Sequence, residues 1–427
     1  MITSLRLVNF KNFADETLRV GPFTVIVGAN ASGKSNIRDA SRFLHGIGRA
    51  YTLAEIIGGK YGSGGQREWE PIRGGTDEII QFGESAFSLQ VESTDFDYLI
   101  EVSRDNKKTP GMFRVTKEEL KKRVLKKYWR TIYTSHPDRD DPVRRQGDDT
   151  HLLLRMEKTG AQKRLGHKIS VRPDQPALTQ LIEHPRIVKS HKELAEKTIK
   201  VFANMRFLDL VPDRMRQAAF PGQTILGNGG ENLPTVLREI CDDPKRKETL
   251  AEWTRKLTPM DVRDFEFPIE EVSGRVQLVF REANNRRVSA YGASDGTLRF
   301  LAMLAALLGT NPAGLYFFEE IDNGIHPARL NLLMDLIERQ TAKHSTQVLT
   351  TTHAPTLLTV MNDNTFEKTS VVCRLQDTSE AIIRPVAELP NVRELRQDQG
   401  LGRLHESGWM EDALFFIEDY NAAEDGS

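Results

Sequence analysis

The chain has 427 residues, 39% of them hydrophobic and 28% charged, which gives room for two or three domains with cores of their own. Its longest apolar run, Phe300 to Leu308, is about half the ~18 residues of a membrane span, and Arg6, Asn9 and Lys11 break up the N-terminal apolar residues, so neither a membrane partner nor a secretory leader is expected. The net charge of −1 hides an asymmetry: residues 104–206 hold 26 Lys/Arg against 13 Asp/Glu, a balance of +13, and the remainder carries −14.

Along the chain, Ile2, Leu5, Leu7 and Phe10 predict a first strand, and the β-branched run Phe23–Val27 predicts a buried one that ends at a glycine. Ile37, Ala40, Phe43 and Leu44 follow at helical spacing. Residues 58–75, with seven glycines, predict a loop, and the alternation over 79–104 predicts a hairpin or meander. In the basic middle, Leu120, Val124 and Tyr128 fall on one face of an expected lysine-rich helix over Lys117–Arg130. Residues 134–150 predict a loop, and 177–208 helices broken near Pro185. Strand pattern returns at Val276, Leu278 and Phe280. A helix over Leu298–Leu308, a buried strand over Leu315–Phe318, a helix over Leu330–Arg339 and a strand over Gln347–Thr351 complete the pattern. Strands alternating with helices predict an α/β layer with a partly parallel sheet. The tail from Glu411 is acidic, and Cys241 and Cys373 lack metal or redox spacing, which suits a reducing, cytoplasmic setting.

The chemistry concentrates at Gly28-Ala29-Asn30-Ala31-Ser32-Gly33-Lys34-Ser35, a complete GxxxxGK[ST] between a predicted strand and a predicted helix. Glycines there let consecutive N–H groups and the helix N-terminus face phosphates. Lys34 supplies charge to the β- and γ-phosphates, and Ser35 a hydroxyl for Mg²⁺. Leu315–Phe318 runs into Glu319-Glu320, with Glu319 a candidate for the metal and Glu320 for the general base. Ser294-Asp295-Gly296-Thr297 opens a helix, where Ser294 is a candidate phosphate contact or a plain cap. His353, past the strand 347–351, is a candidate for positioning water; a structural histidine is the plainer alternative.

In this order the elements, with the opening Leu5-x-Leu7-x-Asn9-Phe10-Lys11-Asn12-Phe13, resemble the ABC-type ATPase heads of the SMC and RecF group. The nearest likeness is to the AAA-like, OLD-related ATPases of bacteria and their mobile elements. The resemblance covers residues 1–45 and 205–360. It implies a P-loop head with a mixed, partly parallel sheet flanked by helices. The head would be divided into 1–104 and 207–390 around a basic, mainly helical insertion at 105–206, with an acidic tail at 391–427. It implies ATP and Mg²⁺ as cofactors, with Gly28, Asn30, Ser32, Gly33, Lys34, Ser35 and Asn36 around the nucleotide. It also implies Glu319 at Walker B, Glu320 as catalytic base, Ser294 and Gly296 in the signature motif, and His353 as switch histidine. Asn323-Gly324-Ile325-His326-Pro327 is similar to the stretch after Walker B, where the D-loop lies. Two positions depart from the pattern. The signature reads Ala-Ser-Asp-Gly-Thr rather than Leu-Ser-Gly-Gly-Gln, and Glu319 stands where Asp is commoner, which implies slow turnover. Gln66 and Gln81 both remain candidates for the Q-loop glutamine.

The resemblance further implies a head-to-tail dimer, or an assembly of such dimers, with ATP held between copies. No nuclease domain is expected in the chain, so the leading expectation is a regulatory ATPase of bacterial anti-phage defence acting on a separately encoded effector such as a nuclease. A RecF-like clamp that binds nucleic acid through Lys117–Arg130 is the second expectation, and a scaffold with structural ATP the third.

Overall fold

The computed structural model describes residues 1–104, 112–125, 128–135, 151–157, 168–343, 345–375 and 380–415. Its strands begin with β1 (Ile2–Phe10), β2 (Phe13–Arg19), β3 (Phe23–Val27), β4 (Lys60–Tyr61) and β5 (Arg67–Trp69). They continue with β6 (Ala86–Ser93), β7 (Phe96–Arg104), β8 (Phe113–Leu125), β9 (Tyr128–Thr134), β10 (Leu152–Met156), β11 (Lys168–Val171) and β12 (Met205–Leu208). The remainder are β13 (Val262–Glu266), β14 (Val279–Glu282), β15 (Arg287–Ser289), β16 (Leu315–Phe318), β17 (Gln347–Thr352), β18 (Ser370–Arg374) and β19 (Ala381–Pro385). The chain divides into two compact units. One comprises residues 1–21, 29–205 and 372–384, the other 22–28, 206–371 and 385–427.

The first unit is built on an eight-stranded sheet of order β11-β10-β9-β8-β7-β6-β1-β2, antiparallel wherever its register is defined. Alternation along β6 buries Phe87, Leu89 and Val91. The helix Lys34–Gly48 covers this face, where Phe10 and Phe43 meet the Phe87 ring edge-on at 5.3 and 5.4 Å. Phe202, on the helix Lys189–Ala203, packs on Phe96 and Tyr98. The two helices touch at Gly48, where a Cβ would fall on the main chain of Ala203, so only glycine permits the approach.

A second sheet has the strand order β12-β16-β17-β3-β18-β19, and its strands β16, β17 and β3 lie in the second unit. The pairings β16–β17, β17–β3 and β3–β18 are all parallel. All residues of β3, β16 and β17 are buried, as expected for central strands covered on both faces. The helix Asp295–Leu308 buries ten of its fourteen residues, and Leu330, Leu333, Met334, Leu336 and Ile337 of the helix Leu330–Lys343 are buried too. β13, β14 and β15 form a small antiparallel sheet. Among the described residues no helix is long and apolar enough to cross a membrane.

Two expectations need correction. The helix expected over Lys117–Arg130 is instead the ribbon β8–β9, with Lys122 opposite Arg130 and Arg123 opposite Trp129. A register shift where Glu101 and Val102 pair with Lys117 and Val115 offsets the inward residues. Phe113, Val115, Glu118 and Leu120 therefore face inward, whereas Val124 and Tyr128, which with Leu120 fall at helical spacing, are exposed near the end of the ribbon. The middle segment is thus not mainly helical where it is described: β8 to β11 extend the sheet, and helices follow only at Ala177–Gln180 and Lys189–Ala203. Residues 58–75 are not all loop either. Thr52 and Glu55 form a capping box for the helix Leu53–Gly58, and β4 and β5 make a short hairpin. Residues 136–150 and the tail from 416 lie outside the described residues.

Candidate nucleotide-binding site

The P-loop leaves the sheet at Gly28, directly after β3. In the first unit, residues 29–33 fold as a tight turn in which the Ser32 amide donates to the Ala29 carbonyl at 3.3 Å and the Lys34 ammonium donates to the same carbonyl at 2.6 Å. Ala31 and Gly33 have positive φ, at +63° and +113°. Successive residues of opposite hand turn consecutive amides to one side, an anion-binding concavity. A Cβ at Gly33 would lie 2.9 Å from the Asn12 side chain, so this glycine is required by both strain and space.

The helix Lys34–Gly48 starts with no side-chain cap and no acidic residue in its first turn. Its first amides and dipole therefore favour an anion rather than a protein carboxylate. The Ser32 hydroxyl is buried without a hydrogen-bond partner among the described residues. This donor set, with Lys34 and the Ser35 hydroxyl, fits a nucleotide polyphosphate and its Mg²⁺.

Asn12, in the turn between β1 and β2, supports the loop: its carbonyl oxygen accepts from the Asn36 side chain at 2.7 Å. Asn36 is thus placed beneath the loop by a hydrogen bond. Asn30 is an exposed loop residue.

In the second unit the register gathers the other candidates. Val27 of β3 lies opposite Thr352 of β17, and Phe318 of β16 opposite Thr350. One residue beyond the strand ends stand Gly28, His353 and Glu319, followed by Glu320. The Glu320 amide donates to the Thr351 hydroxyl at 3.2 Å, and its carboxylate lies 3.4 Å from His353 Nδ1 and 3.5 Å from the Asn323 amide group. Both Glu320 and His353 are about half exposed, and Glu320 has left-handed backbone at φ +48°. Nearby Asp322 is mostly buried, and that burial raises its carboxyl above the ordinary value despite the opposing Thr352 hydroxyl and His353.

Ser294 is the N-cap of the helix Asp295–Leu308, its hydroxyl accepting from the Thr297 amide at 3.2 Å. Arg216 holds this turn by donating to Asp295 at 2.6 Å and to the Ala293 carbonyl at 3.1 Å. Gly296 packs directly on the Gly324 carbonyl, where a Cβ at 296 would overlap that oxygen. The turn Ser294–Thr297 and the turn at Gly324 are therefore one packed contact. His326 caps Ala328, a structural role.

Sequence reasoning did not single out Arg216, Thr351 or Asp322, nor Asp39 and Arg73 beside the P-loop. These act through side-chain pairing across long separations, which no local pattern carries. Gln81 donates to Glu380 within the first unit at 3.2 Å, and Gln66 lies in the β4–β5 turn. In the basic ribbon, Lys121 pairs with Glu119, Arg123 with Glu92 and Arg130 with Glu157, while Arg123 also covers the Trp129 ring.

Among solved structures, the chain is similar to the SMC head domain from Thermotoga maritima, at 15% identity and TM-score 0.41, covering 90% of this chain and 98% of that one. It is also similar to an Smc head bound to the C-terminal winged-helix domain of ScpA, at 14% identity and TM-score 0.45, covering 90% and 96%. A third similarity is to an Smc head with an extended coiled coil bound to the C-terminal domain of ScpA from Pyrococcus furiosus, at 14% identity and TM-score 0.44, covering 93% and 99%. No curated protein matches the sequence. The family described as "AAA domain, putative AbiEii toxin, Type IV TA system" matches residues 23–359, a span that contains the P-loop, Ser294–Thr297, Glu319-Glu320 and His353. With most of its length and every one of these motifs inside that match, the chain belongs to this AAA-domain family.

Proposed function

We propose that the chain binds ATP with Mg²⁺ and hydrolyses it as an ABC-type head, its sites completed by a second copy. One observation carries this reading: Gly28, Glu319-Glu320 and His353 stand at the C-terminal ends of three neighbouring parallel strands. Ligands of open α/β sheets bind beyond those ends. The P-loop amides and Lys34 would hold the phosphates, and Ser35 and Glu319 are the residues that would hold the metal. Bound Mg²⁺ would neutralise charge on the β- and γ-phosphate oxygens. Glu320 takes a proton from the attacking water as the bond between the γ-phosphorus and the bridging oxygen breaks, releasing ADP and phosphate. His353 and Asn323 orient that carboxylate. Ser294 and Gly296 of a second copy would close the site, so ATP would join two copies and hydrolysis release them.

This switch would govern a separately encoded effector, a nuclease, in bacterial defence within the cytoplasm. The toxin named in the family description supports a role of that kind. The clamp reading has less support, because Lys121, Arg123 and Arg130 already have carboxylate partners.

The test is ATP hydrolysis against protein concentration, with mass measured with and without ATP, for the natural chain and Glu320→Gln. The expected outcome is a rate per subunit that rises with concentration, and a variant at least ~100-fold slower that accumulates as an ATP-bound dimer. Undiminished hydrolysis by Glu320→Gln would remove Glu320 from the mechanism.

A further inference from the structure

Asp39 sits one turn into the helix Lys34–Gly48 and is wholly buried, with a relative exposure of 0%. Lys11 reaches its carboxylate at 2.5 Å from the turn after β1, and Arg73 reaches it at 3.2 and 3.3 Å from the segment after β5. The same Arg73 guanidinium donates to the Ser35 carbonyl at 2.6 Å. Lys11 adopts φ +56°, and its amide is tied to the Ile79 carbonyl at 3.1 Å. A buried ionised carboxylate is costly unless paired. The helix itself has an apolar face of Ile37, Ala40, Phe43, Leu44 and Ile47, so attachment to the sheet does not require this network. Lys11 and Arg73 meet the charge of the Asp39 carboxylate here. The planar fork of Arg73 joins that charge to the main chain of the residue proposed to hold the metal.

We propose that Lys11, Asp39 and Arg73 form a positioning network that fixes the Ser35 main chain, so that its hydroxyl is preset for the Mg²⁺ accompanying the nucleotide. The inference rests on the ATP reading and deepens it. Arg73 acts through Ser35 and is a positioning residue. Partners that orient a metal ligand raise metal affinity by ~10–100-fold, and a lysine at 73 cannot serve Asp39 and the Ser35 carbonyl together in the geometry of a guanidinium fork.

The experiment uses the full chain and a fluorescent ATP analogue, titrated once in EDTA and once with increasing Mg²⁺, for the natural protein, Arg73→Ala and Arg73→Lys. Expected is EDTA binding within twofold of the natural protein, and a Mg²⁺ concentration for half-maximal response raised ~10-fold in both variants. An unchanged Mg²⁺ midpoint in Arg73→Lys overturns the proposal even if Arg73→Ala does not fold. An equal loss in EDTA and in Mg²⁺ also overturns it, because it would place Arg73 on the nucleotide or in the fold at large. Failure of the ATP reading looks different: the natural protein then binds the analogue in neither arm.

Discussion

Glu320 combines a left-handed backbone at φ +48° with an amide held by the Thr351 hydroxyl and a carboxylate facing His353. Such a conformation costs a non-glycine residue roughly 1–3 kcal/mol and persists where the surroundings impose it. Here the imposition comes from β16 and β17, which also supply the catalytic candidates. Glu118 is the opposite case, a carboxylate far from any proposed chemistry. It is fully buried and accepts from Tyr98 at 3.0 Å, Tyr133 at 2.9 Å and the Ala177 and Leu178 amides at 2.6 and 2.8 Å. It thereby fastens β7, β8 and β9 to the start of the helix Ala177–Gln180. Burial raises its carboxyl above the ordinary value, although those four bonds favour the ionised form. With the folded pKa above the unfolded one, the penalty for ionised Glu118 is full above the folded pKa and is relieved as pH falls toward the unfolded value of ~4.3. Glu118→Gln carries no such penalty but loses acceptor capacity, so a loss of about 1–3 kcal/mol is expected at pH 7. The stability gap in favour of the natural chain should widen as pH falls through the raised folded pKa toward ~4.3, measured by denaturant unfolding at each pH. A gap independent of pH would show that Glu118 titrates alike in both states.

At the scale of elements, much of the architecture was legible where pattern is local. The P-loop is a contiguous motif, β16 is an unbroken apolar run, β17 is a β-branched run, and the helix Asp295–Leu308 announces itself by its length and its polar first turn. The ribbon β8–β9 was not legible, because a shifted register and an inward Glu118 broke its two-residue period while exposed Val124 and Tyr128 fell with Leu120 at helical spacing. Also hidden was the contact between Gly296 and Gly324, two turns separated by a helix and a strand. Each glycine is plain in the sequence, but their apposition is tertiary. Gly296→Ala forces the two turns apart and is expected to destabilise the fold by about 1–3 kcal/mol and to depress hydrolysis through the displaced turn after Glu320. Gly64 has open space around it, so Gly64→Ala is the matched control and should leave both properties unchanged. Thermal unfolding and ATP turnover on the same samples would check this. Normal behaviour of Gly296→Ala would mean that the two turns yield independently.

At the scale of the whole molecule the question is whether one chain completes its own site. Ser294 already has a structural role as a helix cap, and Asp caps helices as well as Ser does. Ser294→Asp should therefore preserve the helix. If Ser294 also faces the nucleotide of a second copy, the added anion should repel the γ-phosphate and stop hydrolysis, while the variant's own P-loop still binds nucleotide. Glu320→Gln should be inactive for a different reason. In a head-to-tail pair of one Ser294→Asp copy and one Glu320→Gln copy, both defects fall in the same site. The other site then combines an intact Glu320 with an intact Ser294. If the copies are mixed in equal amounts before ATP is added and pair at random, half the dimers are mixed, each with one working site, so two dead proteins together should recover up to about a quarter of the natural rate. Sites completed within one chain would gain nothing on mixing, because every copy carries its defect with it. The mixing ratio gives a second check: recovered activity should peak at equal amounts and fall toward zero at either extreme.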